Sequence, residues 1–191
     1  QEEYVPENKA VETDYKSPIS GRPLVRKREK NYFFRLSSYS EALLAHIDQH
    51  PESVEPAARR NEVVGRIRDG LNDVPISRAG SGGWGIPFPG DETHTIYVWI
   101  DALINYLSAV DTDERRHLWP ADIHFIAKDI LWFHAVIWPA MLMAAGLPLP
   151  GQVYAHGWLL VGGEKMSKSK LTGIAPEQII DHFGVDAFRY Y

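Results

Sequence analysis

The sequence predicts an α/β fold in which helices pack on a parallel sheet, and three observations carry that expectation. Apolar runs alternate in period, strand then helix then strand then helix then strand, which is the order that parallel sheets need. The composition is that of a folded chain with a sizeable core: 191 residues, 45% hydrophobic and 24% charged. Three predicted strands run directly into residues with chemical potential, Trp99/Asp101, Lys128/Asp129 and His156/Gly157. Sites in open parallel sheets lie beyond such carboxyl ends.

Each element has a local reason. Residues 1–30 are polar, and Pro6, Pro18, Gly21 and Pro23 interrupt any period. Ser38 with Glu41 reads as a capping box that opens a helix carrying Leu43, Leu44 and Ile47. A second helix starts at Pro56, tolerated in a first turn, carries Val63, Val64 and Ile67, and stops at Gly70. Residues 72–95 are loop-rich, with Gly80, Gly82, Gly83 and Gly85 around Trp84. The β-branched and aromatic run Thr95-Ile96-Tyr97-Val98-Trp99-Ile100 predicts a strand, and Asp101 would cap a helix through Leu107. A second strand, Ile123 to Ala127, leads to a helix from Asp129 to Ala145, with Gly146 at the left-handed C-terminal position. Gln152 to His156 is a third strand, and Trp158 to Val161 is short and extended. Pro176 opens a helix through Phe183; Gly184 ends it and Asp186 would cap the next.

Charge and composition narrow the function classes. A net charge of −5 argues against nonspecific nucleic-acid binding, which needs clustered Lys and Arg, but leaves room for a nucleic-acid enzyme with local basic residues. With zero cysteines, disulfides and thiolate metal sites are excluded, and the histidine pattern does not suggest a zinc enzyme. The sequence has no P-loop, no strand-to-helix GxGxxG and no G-x-S-x-G elbow. No apolar run approaches the length of a membrane span, so no membrane partner is expected.

The residues with the clearest chemistry are in the loop after Gly162-Gly163, where Lys165, Lys168 and Lys170 alternate with Ser167 and Ser169. Long-stemmed ammonium groups spaced this way can follow a phosphate that moves, and hydroxyls and loop N–H groups satisfy its oxygens. Trp99, Ala102 and Tyr106 read either as core packing or as a slot, a small residue between two aromatics, that suits a thioether. Ile130, His134 and Trp138 recur every fourth residue on the next helix and read as core or as a pocket wall. Asp129 is either an N-cap or an acceptor for a ribose hydroxyl or an ammonium group. Arg78 has no partner evident in the sequence.

The stretches Asn31-Tyr32-Phe33-Phe34-Arg35-Leu36-Ser37, Ile76-Ser77-Arg78, Trp84-Gly85-Ile86-Pro87, Tyr97-Val98-Trp99-Ile100-Asp101-Ala102, Phe125-Ile126-Ala127-Lys128-Asp129-Ile130, Phe133-His134, Trp138-Pro139, His156-Gly157-Trp158 and Lys165-Met166-Ser167-Lys168-Ser169 together resemble the methionyl-tRNA synthetase family of class I aminoacyl-tRNA synthetases. The last is that class's lysine signature loop. The resemblance runs from about residue 20 to the C-terminus.

What the resemblance implies is specific. The chain would be the second half of a Rossmann-like nucleotide-binding fold from an enzyme that activates methionine with ATP and Mg²⁺ and transfers it to tRNA(Met). Trp99, Ala102, Leu103, Tyr106, Ile130 and His134 would line the methionine pocket, with Trp138 near the sulfur end. Many relatives have proline where Leu103 stands. Asp129, His156 and Leu159 would lie by the ribose and adenine of ATP. Lys165 and Lys168 would hold the triphosphate, and Arg78 would support adenylate formation. No structural zinc is expected in this span. Residues 1–36 would belong to the connective insertion, 37–161 to a helical segment and the second half of the catalytic domain, and 162–191 to the lysine loop and the start of a helical region. The H-I-G-H signature does not occur; in the family it lies N-terminal, so the chain is expected to begin after it and, alone, to be inactive. The anticodon-reading domain is expected beyond Tyr191. The resemblance further implies a cytoplasmic or organellar enzyme. The competing readings are a class I enzyme for another amino acid and a noncatalytic tRNA-binding module of the same fold.

Overall fold

A computed structural model describes residues 7–17, 21–26, 29–80, 84–158, 160–161, 163–166 and 173–190. They form two compact units, one of residues 1–33 and 75–97, the other of 34–74 and 98–191.

The larger unit is built on a three-stranded parallel sheet. In chain order its main elements are α1 (Ser40–Gln49), β1 (Val54–Glu55), α2 (Ala57–Arg68), α3 (Val98–Ser108), β2 (Ile123–Ala127), α4 (Trp138–Ala145), β3 (Gln152–His156), α5 (Pro176–Phe183) and α6 (Val185–Tyr190). The spatial order is β1-β3-β2. Ile123 pairs with Gln152, and the register runs on to Ala127 opposite His156; Val54 pairs with Val153. Strand alternation therefore turns His124, Ile126, Val153 and Ala155 to one face, where all are buried. That face packs on Leu43 and Ile47 of α1, Val63 and Ile67 of α2, Leu103 of α3 and Leu142 of α4 in one apolar cluster. The opposite face carries Phe125, 70% exposed, against Tyr154 at 39%, with ring centroids 5.5 Å apart. Parallel sheets are ordinarily covered on both faces, so the described residues supply only one cover.

Where expectation and structure part, the causes are local. The strand predicted over Thr95–Ile100 ends at Ile96, and Val98 already begins α3. β-Branched and aromatic content favoured a strand, but Ile100, Leu103 and Leu107 turn inward at helical spacing, and burial outweighs propensity. Trp99 is thus helical, and only β2 and β3 end in the predicted polar residues; the third parallel strand is the short β1, which the sequence pattern leaves unassigned. The capping box at Ser38 does not form either. Leu36–Tyr39 is a 3₁₀ turn, and the Asp73 carboxylate accepts from the Ser37 N–H at 3.2 Å and from its hydroxyl at 2.6 Å. Ser38 therefore lies inside this turn and not at the N-cap of α1, which begins at Ser40, and the bonds from Ser37 hold Asp73 below the ordinary carboxylate range.

The helix predicted from Asp129 to Ala145 is present but not uniform. Lys128–Ile130 is a 3₁₀ turn, and Phe133–Ile137 is a π-helical turn that runs into α4. Pro139 explains the irregularity: it has no N–H for the Ala135 carbonyl one turn back, so the ladder widens there. Gly146 closes α4 in the left-handed region (φ 66°), as predicted, and Leu147 N–H bonds the Leu142 carbonyl at 2.9 Å.

The smaller unit is a three-stranded antiparallel sheet. Asp91–Ile96 is its centre, flanked by Ser77–Ala79 and Pro87–Phe88. Tyr32 anchors it: its N–H donates to Ser77 Oγ at 2.8 Å, its hydroxyl donates to Asp91 at 3.0 Å, and its ring stacks on Phe88 at 4.3 Å.

Candidate active site

The carboxyl ends of β2 and β3 lie side by side, since Ala127 is paired with His156. Asp129 follows β2 within a single 3₁₀ turn and is exposed; His156 ends β3 and is also exposed. Nδ1 of His156 donates to the Gly157 carbonyl at 2.6 Å, which leaves its Nε2 without a role in that bond and turned to a ligand or solvent. Beside them the Lys128 ammonium sits 3.9 Å over the Trp158 ring.

Behind this edge, α3 and the π-helical turn hold a set of aromatic side chains. Tyr106 donates its hydroxyl to His134 Nε2 at 2.8 Å, and His134 Nδ1 lies 3.0 Å from the Ile130 carbonyl. A carbonyl only accepts, so Nδ1 carries the proton and Nε2 must accept from Tyr106. The bonds fix the neutral tautomer, and burial pushes the His134 pKa down, which keeps it neutral. Burial likewise raises the Tyr106 pKa, so the phenol stays a donor. Trp138, 1% exposed, lies 6.1 Å from the Tyr106 ring. Trp99 stacks on Phe133 at 3.9 Å and 14°. Two turns of α3, about 10 Å, separate Trp99 from Tyr106.

The predicted residues thus fall into groups. Tyr106, Ile130, His134 and Trp138 come together. Ala102 is exposed on α3, and Leu103, 1% exposed, belongs to the apolar core. Arg78 belongs to the smaller unit, on the strand Ser77–Ala79, with Nε 3.6 Å from the carboxylate of Glu29, a side chain 4% exposed. Lys165 pairs in a short antiparallel ladder opposite Leu160. Lys168 and Leu159 lie outside the described residues.

Three aromatic residues are not marked as site residues by the sequence pattern: Phe133, His124 and Trp119. His124 was legible in principle, because it shares its strand phase with Ile126 and a buried strand histidine is unusual. One i, i+4 histidine pair also stands in the chain, His46 and His50, whose rings lie 5.1 Å apart. Among the described residues, no group of three or more His, Asp or Glu is placed to hold a metal ion.

An α/β unit with a parallel sheet, polar groups at adjoining strand ends and an aromatic cluster beside them has the arrangement in which open parallel sheets bind ligands, beyond the carboxyl ends of their strands. Residues 6–191 match the family model described as tRNA synthetases class I (M), and the chain belongs to that family. It is 57% identical over 178 residues to the methionine–tRNA ligase of Streptomyces coelicolor, covering 91% of this chain and 33% of that enzyme. The methionine–tRNA ligase of Caldanaerobacter subterraneus subsp. tengcongensis is 50% identical, over 93% of this chain and 28% of that enzyme. In structure it is similar to Mycobacterium tuberculosis methionyl-tRNA synthetase bound by methionyl-adenylate, with a TM-score of 0.81 and 44% identity over 92% of this chain and 35% of that one. The chain spans about a third of the length of the curated relatives it matches.

Proposed function

We propose that this chain is part of a methionine–tRNA ligase: the full-length protein activates methionine with ATP and transfers it to tRNA(Met). The observation that carries the reading is the chain of bonds from Tyr106 O–H to His134 and from His134 to the Ile130 carbonyl, set among Trp99, Phe133 and Trp138. A neutral, aromatic-walled slot binds a polarizable thioether, repels charged side chains and leaves the Tyr106 oxygen one acceptor position for a ligand. Family membership supports the same substrate, and the Mycobacterium relative is bound by methionyl-adenylate.

The reaction needs a carboxylate oxygen of methionine to attack the α-phosphorus of ATP in line, with pyrophosphate leaving. Protein groups then position the reactants and neutralise charge, without a protein nucleophile. Ala102 and Leu103 complete the methionine side of the site. Asp129, His156 and Leu159 serve the nucleotide, where the Asp129 carboxylate accepts from a hydroxyl or ammonium group. Lys165 and Lys168 hold the triphosphate, which enters with Mg²⁺, and Arg78 adds positive charge during adenylate formation. Residues 1–36 belong to the connective insertion, 37–161 to the catalytic half-fold and 162–191 to the lysine loop and the start of a helical region. The reading implies a cytoplasmic or organellar enzyme.

The test is methionine-dependent ATP–pyrophosphate exchange by the full-length protein. Exchange with methionine and not with leucine, valine, isoleucine or cysteine supports the reading; no exchange with methionine removes it. Lys168→Ala should lower adenylate formation by about 2–4 kcal/mol of transition-state stabilisation while methionine affinity holds. Equal loss of methionine binding would count against the role given to that lysine.

A further inference from the structure

His124 is polar, buried and not used by any step of the proposed reaction. It sits on the inward face of β2 at 6% exposure, its ring 4.2 Å from the Tyr106 ring and 6.0 Å from His134. Its Nε2 has no hydrogen-bond partner among the described residues. The same holds for Nε1 of two neighbours: Trp119, with its ring 6.4 Å from His124, and Trp138, with its ring 5.9 Å from Trp119. Three buried polar atoms without partners in one aromatic cluster do not serve stability, since apolar residues of similar size would bury as much surface without stranding a polar atom. Local rules broken in this way mark a functional site.

The topology gives the cluster a depth. His124 lies three residues before Ala127, about 10 Å back from the carboxyl end of β2. Trp138 lies eight residues beyond Ile130 on the segment that leads away from that end, about 12 Å along it. His124, Trp119 and Trp138 therefore stand at the end of the cluster remote from Asp129 and His156, with Tyr106 and His134 packed beside them.

We propose that His124 and Trp119 close the far end of the methionine slot and set the length of side chain it accepts. This rests on the methionine–tRNA ligase reading. The floor is rigid because aromatic rings block each side: Tyr106 and His134 on one, Trp138 on the other. Burial and the nearby His134 hold the His124 pKa down to about 4, so the floor is uncharged at neutral pH. A side chain longer by one methylene meets these rings, whereas methionine stops short of them.

The experiment compares ethionine, which carries one more methylene than methionine, in ATP–pyrophosphate exchange by the full-length protein. The ratio of the two kcat/KM values does not depend on how much of a variant is folded, so it separates a floor from a structural support. His124→Ala and Trp119→Ala should each raise the ethionine-to-methionine ratio about 10-fold, the scale at which a pocket discriminates one methylene. An unchanged ratio in active variants overturns the proposal and leaves the function intact; a wild-type protein without methionine-dependent exchange overturns both. Should neither variant be active, the wild-type protein loaded with methyl-¹³C-methionine decides. Nuclear Overhauser contacts from the methyl group to the His124 or Trp119 rings are expected, and contacts confined to other aromatic rings overturn the proposal.

Discussion

Acid should destabilise this protein through His124, and the size of the effect follows from its burial. The ring is 6% exposed and its pKa falls from 6.5 to about 4, first because burial disfavours the charged form and second because His134 is near. The groups that face it are Tyr106, which burial keeps protonated, and His134, whose pKa is also lowered. Above pH 6.5 the ring is neutral in both the folded and unfolded chain, and there is no penalty. As the pH falls below 6.5 the unfolded chain binds a proton that the folded ring refuses, so stability declines by about 1.4 kcal/mol per pH unit. The decline ends near pH 4, for a total of about 3 kcal/mol. Between about pH 6.5 and 5.0 the His124 share is about 2 kcal/mol. Urea denaturation of the full-length protein at the two pH values, wild type beside His124→Gln, isolates it, because the variant lacks the titrating group. Equal acid losses in both proteins would refute the assignment, as would an imidazole titration of His124 by NMR at its unshifted value.

Tyr106→Phe removes the donor 2.8 Å from His134 Nε2 and strands a buried acceptor. It should cost about 1–3 kcal/mol of stability, read by denaturation, and raise the methionine KM far more than the ATP KM. Leu103→Ala leaves a void at a position 1% exposed and should cost about 2–5 kcal/mol; a smaller loss would mean that the site is closer to a cleft than to the core. Gly151→Ala would place a Cβ 2.8 Å from the Asp122 backbone carbonyl, ahead of β3. It should destabilise by about 1–3 kcal/mol in thermal melting, because backbone rather than a flexible side chain must move.

The two longer parallel strands, β2 and β3, were legible, and so were α2, α4 and the Gly146 stop, because local period and turn chemistry there agree with the packing. Trp99 was misplaced on a strand because six β-forming residues in a row outweighed the inward phase of Ile100, Leu103 and Leu107. β1 was missed since two residues carry no period at all, and only pairing with β3 makes them a strand.

Side-chain type and order along the chain were enough to give the α/β class and the family, and they also named the candidate residues on which the proposed chemistry rests. Only the tertiary structure decided which candidates touch. It gave His134 its tautomer, put Leu103 in the core, stacked Phe133 on Trp99, packed His124 on Tyr106 and set Trp119 beside His124. Hydrogen bonds and ring contacts act over about 3–6 Å, while the residues that make them here lie far apart in the chain, 28 positions for Tyr106 and His134 and more for Trp99 and Phe133.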